Sequence, residues 1–164
     1  MIPLEQYKQI LEVLPILCVD AVIANSLGKY LLVKRKSEPL KGQWWVIGGR
    51  VLKSETMEQA VVRKVKAEVG LTLTNLRAIG YYEGVFPDAP FDVQSGLHTV
   101  SIVFAGETGD PQAVRLDGQS EDWTYADLLP ATFHVKPFGR LSTTDGTSPH
   151  PNPLSPTWGE RGLG

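Results

Sequence analysis

One cysteine, Cys18, and two methionines are all the sulfur this 164-residue sequence carries. With no second cysteine an intramolecular disulfide is excluded, and Cys18 lies in an apolar run where a buried thiol is expected rather than a nucleophile. Long apolar stretches are missing too. None reaches the roughly 18 residues of a membrane helix, and the N-terminus has no signal-peptide pattern, so the expectation is a cytoplasmic protein that makes no membrane contact. Neither sign of charge prevails: 16 Lys+Arg against 18 Asp+Glu give a net charge of −2 and a pI near 5.9. That balance offers no reason to expect nucleic-acid binding. Phosphate-binding P-loop and Rossmann glycine patterns are absent. His134 and His150 stand at no metal-ligand spacing with each other or with Cys18.

What is present is ordinary for a globular domain: 42% apolar and 21% charged residues, in a chain long enough to bury one core. Residues 4–13 have the pattern of a short amphipathic helix, with Leu4, Tyr7, Ile10, Leu11 and Leu14 on one side, ended by Pro15. Ile16 to Ala24 reads as an apolar strand interrupted by Asp20. The turn Asn25-Ser26-Leu27-Gly28 joins it to a second strand, Lys29 to Lys36, as a hairpin. A loop from Ser37 to Gln43 precedes Trp44-Trp45-Val46-Ile47, a strand that runs into Gly48-Gly49.

Past the central helix, Leu71 to Leu73, Ala78 to Phe86 and Leu97 to Ala105 are strand-like, the last carrying His98. The loop Pro87 to Gly96 is polar and long enough to be functional. Residues 106–118 are rich in turn formers. Gln119-Ser120-Glu121-Asp122 leads into Trp123-Thr124-Tyr125, and a helical start is expected at Ala126-Asp127-Leu128-Leu129. From Leu141 to Gly164 four prolines and four glycines occur without apolar periodicity. That segment is expected to be a disordered tail beyond a domain of residues 1–140. The order of elements predicts an α/β fold, an α/β/α sandwich around a mixed β-sheet.

The stretch from Gly48 to Leu71 organises the rest. Thr56 and Gln59 form a capping box, and Gly70 stands where a left-handed residue closes a helix. Between them Met57, Val61, Val62, Val65 and Val69 make an apolar stripe. Ala60, Lys64, Ala67 and Glu68 share another strip of the surface. Spacing alone favours a solvated face carrying an i,i+4 Lys–Glu pair there.

Gly49, Glu55, Arg63, Val65, Glu68, Gly70 and Leu71 together resemble the signature of the Nudix hydrolases, matching seven of its nine positions. Lys64 and Ala67 stand where that family usually has glutamates. The departures resemble one subgroup, the GDP-mannose mannosyl hydrolases, which also lack these two glutamates and keep an Ala-Glu pair before the last glycine. Arg35, the run Lys41 to Val51, Lys53-Ser54-Glu55-Thr56 and the turn residues Asn25, Ser26 and Gly28 agree with it.

The resemblance implies hydrolysis of a nucleotide-sugar substrate by a homodimer using Mg²⁺, with water attacking the anomeric carbon of GDP-mannose to give GDP and mannose. It assigns Mg²⁺ to the Glu68 carboxylate, the Gly48 carbonyl and the Gln119 side chain. It gives Arg35 and Arg50 the charge of the departing GDP, work suited to fork-shaped cations. Asp20 matches a residue that orders the site, or pairs structurally with a nearby cation. His98 falls at a histidine near the sugar, or bonds to backbone. Tyr7 lies along the nucleobase, or packs in the core. Glu55 and Arg63 tie the signature loop to its helix. The subgroup's general-base histidine is replaced by Ser120, whose hydroxyl is too weak a base, so Glu121 or Asp122 is expected to substitute. Alternatives are a pyrophosphatase attacking phosphorus and a nucleotide-binding protein with little catalysis.

Overall fold

The computed structural model describes residues 2–110 and 112–138; the expected tail from Leu141 to Gly164 lies outside the described residues. The chain begins with helix α1 (Leu4–Val13), which ends ahead of Pro15, and continues into strand β1 (Ile16–Ala24). β1 returns as β2 (Tyr30–Arg35) through a turn that the Asn25 side chain stabilises by accepting from the backbone N–H groups of Leu27 and Lys29, each at 3.0 Å. The expected strand at Trp44 is broken at Val46 into β3 (Trp44–Trp45) and β4 (Ile47–Arg50). The two halves serve different neighbours: β3 pairs with β2, and β4 pairs with β1.

Helix α2 (Met57–Val69) has the boundaries its capping chemistry predicts. Thr56 accepts from the Gln59 N–H at 3.2 Å while the Gln59 side chain accepts from the Thr56 N–H at 2.8 Å. Gly70 closes the helix at φ 73°, a left-handed conformation that costs glycine little. Its buried stripe differs by one residue from the expected one. Ala60 is fully buried with Val61, Val65 and Val69, whereas Val62 is 41% exposed. Each of those buried valines contributes roughly 1.5–3 kcal/mol through burial.

β5 (Leu73–Phe86) contains the expected segment Ala78 to Phe86 but only the last residue of the expected segment Leu71 to Leu73, and a single 3-10 turn (Pro90–Asp92) interrupts the loop that follows. β6 (Leu97–Thr108) is longer than expected; β7 (Ser120–Ala126) and the short β8 (Lys136–Pro137) complete the sheet. No helix forms at 126–129. Pro130 follows Leu129 and disfavours helical dihedrals there, and the irregular segment instead folds Leu129, Phe133 and Val135 against Trp45, Val46 and Tyr82.

The sheet is mixed, ordered β3-β2-β1-β6-β5-β8, with β4 also on β1 and β7 on β2. β1 and β6 run parallel over nine matched positions, Ile16 with Thr99 through Ala24 with Glu107. This is the expected α/β architecture around a mixed sheet. α2 covers one face, where Val19, Ala21, Ile23, Leu31, Ile47 and Phe104 meet its valines. α1 packs through Leu11 against Val93 and Leu97. No helix of the described residues is long and apolar enough to cross a membrane.

A candidate active site on both sides of a glycine strand

β1 is paired differently along its length, and the switch positions the site. Near Ala24 its antiparallel partner is β2; from Cys18 to Ala21 the partner is β4, with Asp20 opposite Gly48 and Val19 opposite Gly49. Gly48 and Gly49 put no side chain between the outer end of α2 and the Cys18–Asp20 face of β1. A cavity of about 520 Å³ results, within the ordinary range for a small-molecule site. It is lined by Asp20 from β1, Arg35 from β2, Gly48 to Arg50 from β4, Lys64 and Glu68 from α2, Tyr7 from α1, and Gln119.

Gly48 is required by the backbone it lies against, and Gly49 by its own φ of 156°, a conformation that other residues rarely adopt. A Cβ at Gly48 would overlap Asp20 Oδ1 and come 2.6 Å from the Val19 carbonyl oxygen; at Gly49 it would come 2.7 Å from Lys64 Cε. The loop between β4 and α2 is tied down from the helix. Arg63 donates through Nε and Nη2 to both Glu55 oxygens, at 2.9 and 2.6 Å, and through Nη2 to the Arg50 carbonyl at 3.2 Å. Glu55 also accepts from the Leu52 N–H at 2.6 Å. These bonds hold the Glu55 carboxyl well below its ordinary value, at about 2.

The electrostatics are those of a mixed, partly buried cluster. Burial pushes the Asp20 carboxyl up to about 6, and the Glu68 carboxylate lies near enough to add to the rise. The Ser101 hydroxyl donates to Asp20 and Arg35 lies close; both oppose it. Burial also raises Glu68, against the pull of Lys64, whose ammonium forms an ion pair with it. The Lys64 and Glu68 side chains are only 15% and 9% exposed, so this pair is not the solvated one that spacing alone favours. Arg35 has its guanidinium Nε bound to the Pro39 carbonyl at 2.7 Å. The Arg50 guanidinium stacks 4.3 Å from the centre of the Tyr7 ring. Cys18 lines the same cavity, but burial pushes its thiol up to about 12, which removes it as a nucleophile.

Segment 115–119 brings in the remaining polar group. Arg115 and Asp117 donate their N–H groups to the last carbonyls of α2, those of Val69 and Glu68, at 2.9 and 3.1 Å. Gln119 is thereby set beside the helix end, its Nε2 donating to Asp117 Oδ2 at 2.9 Å.

Of the residues expected to form a site, Tyr7, Asp20, Arg35, Gly48, Arg50, Glu68 and Gln119 line this one cavity. Two others, His98 and Glu121, lie off the cavity lining. His98 is exposed, because β6 alternates and it is Leu97, Thr99 and Ser101 that turn to the cavity. Glu121 is the unmatched residue of a bulge, where pairing jumps from Lys34–Asp122 to Arg35–Ser120, and it forms an exposed ion pair with Lys34 at 3.1 Å. Ser120 is buried in β7.

Phe91 is a lining residue that sequence reasoning missed. Its ring meets Tyr7 edge-on at 6.1 Å, and its φ of 65° is a left-handed value rare for an aromatic residue. An apolar residue in a polar loop gave no local signal of this turn.

The donors available for a divalent cation are few. No group of three or more His, Cys, Asp or Glu residues among those described is arranged to hold a metal ion. Three carboxylates, Asp20, Glu38 and Glu68, border the cavity with Gly48 and Gln119; of these Glu68, the Gly48 carbonyl and the Gln119 amide are the donors the family resemblance assigns to a cation. All three are hard oxygen donors of the kind Mg²⁺ takes, and they suit one ion that completes its shell with water and substrate oxygens.

A model of the NUDIX domain family matches residues 14–140. The chain is 30% identical to the low-salt glycan biosynthesis protein Agl8 of Haloferax volcanii over 72% of its length and 74% of the relative's. It is 40% identical to an ADP-ribose pyrophosphatase of Methanocaldococcus jannaschii over 62% of its length, but spans only 54% of that protein. Among solved structures, a MutT protein from Methanosarcina mazei Go1 superposes with a TM-score of 0.59 at 27% identity, covering 72% of this chain and 87% of that one.

Proposed function

Because the chain belongs to the Nudix hydrolase family, we propose that it hydrolyses a nucleotide sugar, GDP-mannose to GDP and mannose, with water attacking the anomeric carbon. The observation that carries this reading is the composition of the α2 face. Glu68 is its one carboxylate on the cavity, and a lysine stands one turn before it. Attack at phosphorus in a multi-metal site needs several carboxylates to hold the ions, whereas departure of an intact diphosphate from carbon needs chiefly its charge neutralised. Arg35 and Arg50 both line the cavity and offer that charge. The relative named for glycan biosynthesis also supports a sugar-bearing substrate.

In this reading Glu68, the Gly48 carbonyl and Gln119 would hold Mg²⁺, in competition with the Lys64 ammonium on Glu68, and the ion would supply further neutralisation of the leaving diphosphate. Asp20 replaces Glu121 as the general base. It is a buried carboxylate on the cavity whose affinity for a proton is raised to about 6, near the value at which a base accepts a proton effectively in neutral solution. Tyr7 and Phe91 provide an aromatic wall for the nucleobase. The working unit is a homodimer formed around α1, where Leu4, Val13 and Leu14 are exposed.

A second reading, a pyrophosphatase, is favoured by the 40% identity to an ADP-ribose pyrophosphatase. Chromatography of products from GDP-mannose and ADP-ribose separates the two. GDP with free mannose supports the first; nucleoside monophosphate with a sugar phosphate supports the second and removes the first.

A further inference from the structure

The Lys64–Glu68 pair is more than a surface contact. Exposed i,i+4 pairs are worth a few tenths of a kcal/mol and hold neither partner still. Here both side chains are largely withdrawn from water, and the backbone is cut away to admit the lysine. Its Cε lies 2.7 Å from where a Cβ on Gly49 would stand, so the Lys64 side chain, as placed, runs across a strand position that glycine leaves open. The ammonium thus reaches the cavity, on the one α2 carboxylate that borders it. Glu68 is the acceptor the described residues give it, and an ammonium has three N–H donors. Arg35 and Arg50 line the same space.

Resting on the nucleotide-sugar reading of this cavity, we propose that Lys64 is a tethered cation that binds the substrate's diphosphate without a divalent ion. It stands on Glu68 where an ion would otherwise stand, so a metal ion and the Lys64 ammonium compete for that carboxylate. The spare N–H donors of Lys64, with the guanidinium groups of Arg35 and Arg50, give the cavity lining three positive charges. A diphosphate oxygen can therefore be neutralised by charge that is part of the chain. No bond is made or broken in this binding step.

Calorimetric titration of the full chain with inorganic pyrophosphate, once in excess chelator and once in Mg²⁺, tests this independently of the base and the sugar. The expected result is binding in chelator within about tenfold of that in Mg²⁺. Lys64→Gln is expected to weaken binding in chelator by about 10- to 100-fold, the usual loss for a hydrogen bond to a charged group. Lys64→Arg is expected to retain it. Electron paramagnetic resonance of Mn²⁺ should show tighter ion uptake by Lys64→Gln than by the unaltered protein. If Lys64→Gln does not fold, the chelator comparison on the unaltered protein and Lys64→Arg still decides. Pyrophosphate binding that requires Mg²⁺, or an unchanged affinity in chelator for Lys64→Gln, overturns the tethered cation and leaves the nucleotide site standing. Absence of binding under both conditions overturns both.

Discussion

The Asp20 carboxylate lies directly against the Cα of Gly48, its cross-strand partner in the β1–β4 pair. A methyl group at position 48 would overlap that carboxylate and approach the Val19 carbonyl to 2.6 Å. Because the second obstacle is backbone, the strain cannot be relieved by a side-chain rotation. Gly48→Ala is therefore expected to destabilise the fold by about 1–3 kcal/mol, the usual cost of overpacking. Urea denaturation of both proteins measures it, and a variant as stable as the original would show that Asp20 is not held here.

Asp20 should reveal itself through opposite effects on stability and rate. Its carboxyl is raised from 3.8 to about 6 in the folded chain. Between those values the folded state binds more protons than the unfolded one, so stability falls as pH rises. Burying the ionised form costs about 3 kcal/mol at pH 7 and nothing below pH 4, by the usual linkage of proton affinity to stability. Asp20→Asn is expected to gain about 1–3 kcal/mol at neutral pH, with the gain vanishing near pH 4. Hydrolysis should fall by about 10² to 10⁴ in the same variant. The unaltered protein should lose kcat/KM as pH drops through about 6. Thermal melts over a pH series and a pH–rate profile measure both sides.

Glu55 moves the other way. Its carboxyl, at about 2 instead of 4.5, owes most of the shift to the two bonds from Arg63. A lowered carboxyl lends stability above its unfolded value and loses it as pH falls towards the folded one. Arg63→Gln is expected to return the Glu55 carboxyl towards 4.5, read by carbon-detected NMR titration, and to free the 52–55 loop. An unchanged titration would mean that the Leu52 N–H, rather than Arg63, sets it.

How legible this molecule was in its sequence depended on how local the determining interactions are. The ends of α2 are written within four residues on either side, by Thr56 with Gln59 and by Gly70. The hairpin turn is written in Asn25, whose side chain bonds to N–H groups two and four residues on. Which side a strand residue faces is not local when a bulge intervenes. The slip between Lys34 and Arg35 put Glu121 outside the cavity, though it neighbours Ser120 and Gln119 in sequence. The pattern that matches His98 to a site position carries no information on facing, whereas the alternation of β6 turns Leu97 and Thr99 to the cavity and leaves His98 exposed. The stripe of α2 was misjudged at Val62 because apolar character does not say which neighbour is present; small Ala60 takes the close-packed position instead. The burial of Lys64 was invisible for a related reason. It depends on Gly49, fifteen positions earlier and on another element.

The most direct test of carbon-centred chemistry is hydrolysis of GDP-mannose in ¹⁸O-enriched water with mass spectrometry of the products. Attack at the anomeric carbon places the heavy oxygen in free mannose and leaves GDP unlabelled, which is the expected result. Heavy oxygen in GMP or in mannose 1-phosphate would locate the attack on phosphorus and contradict it.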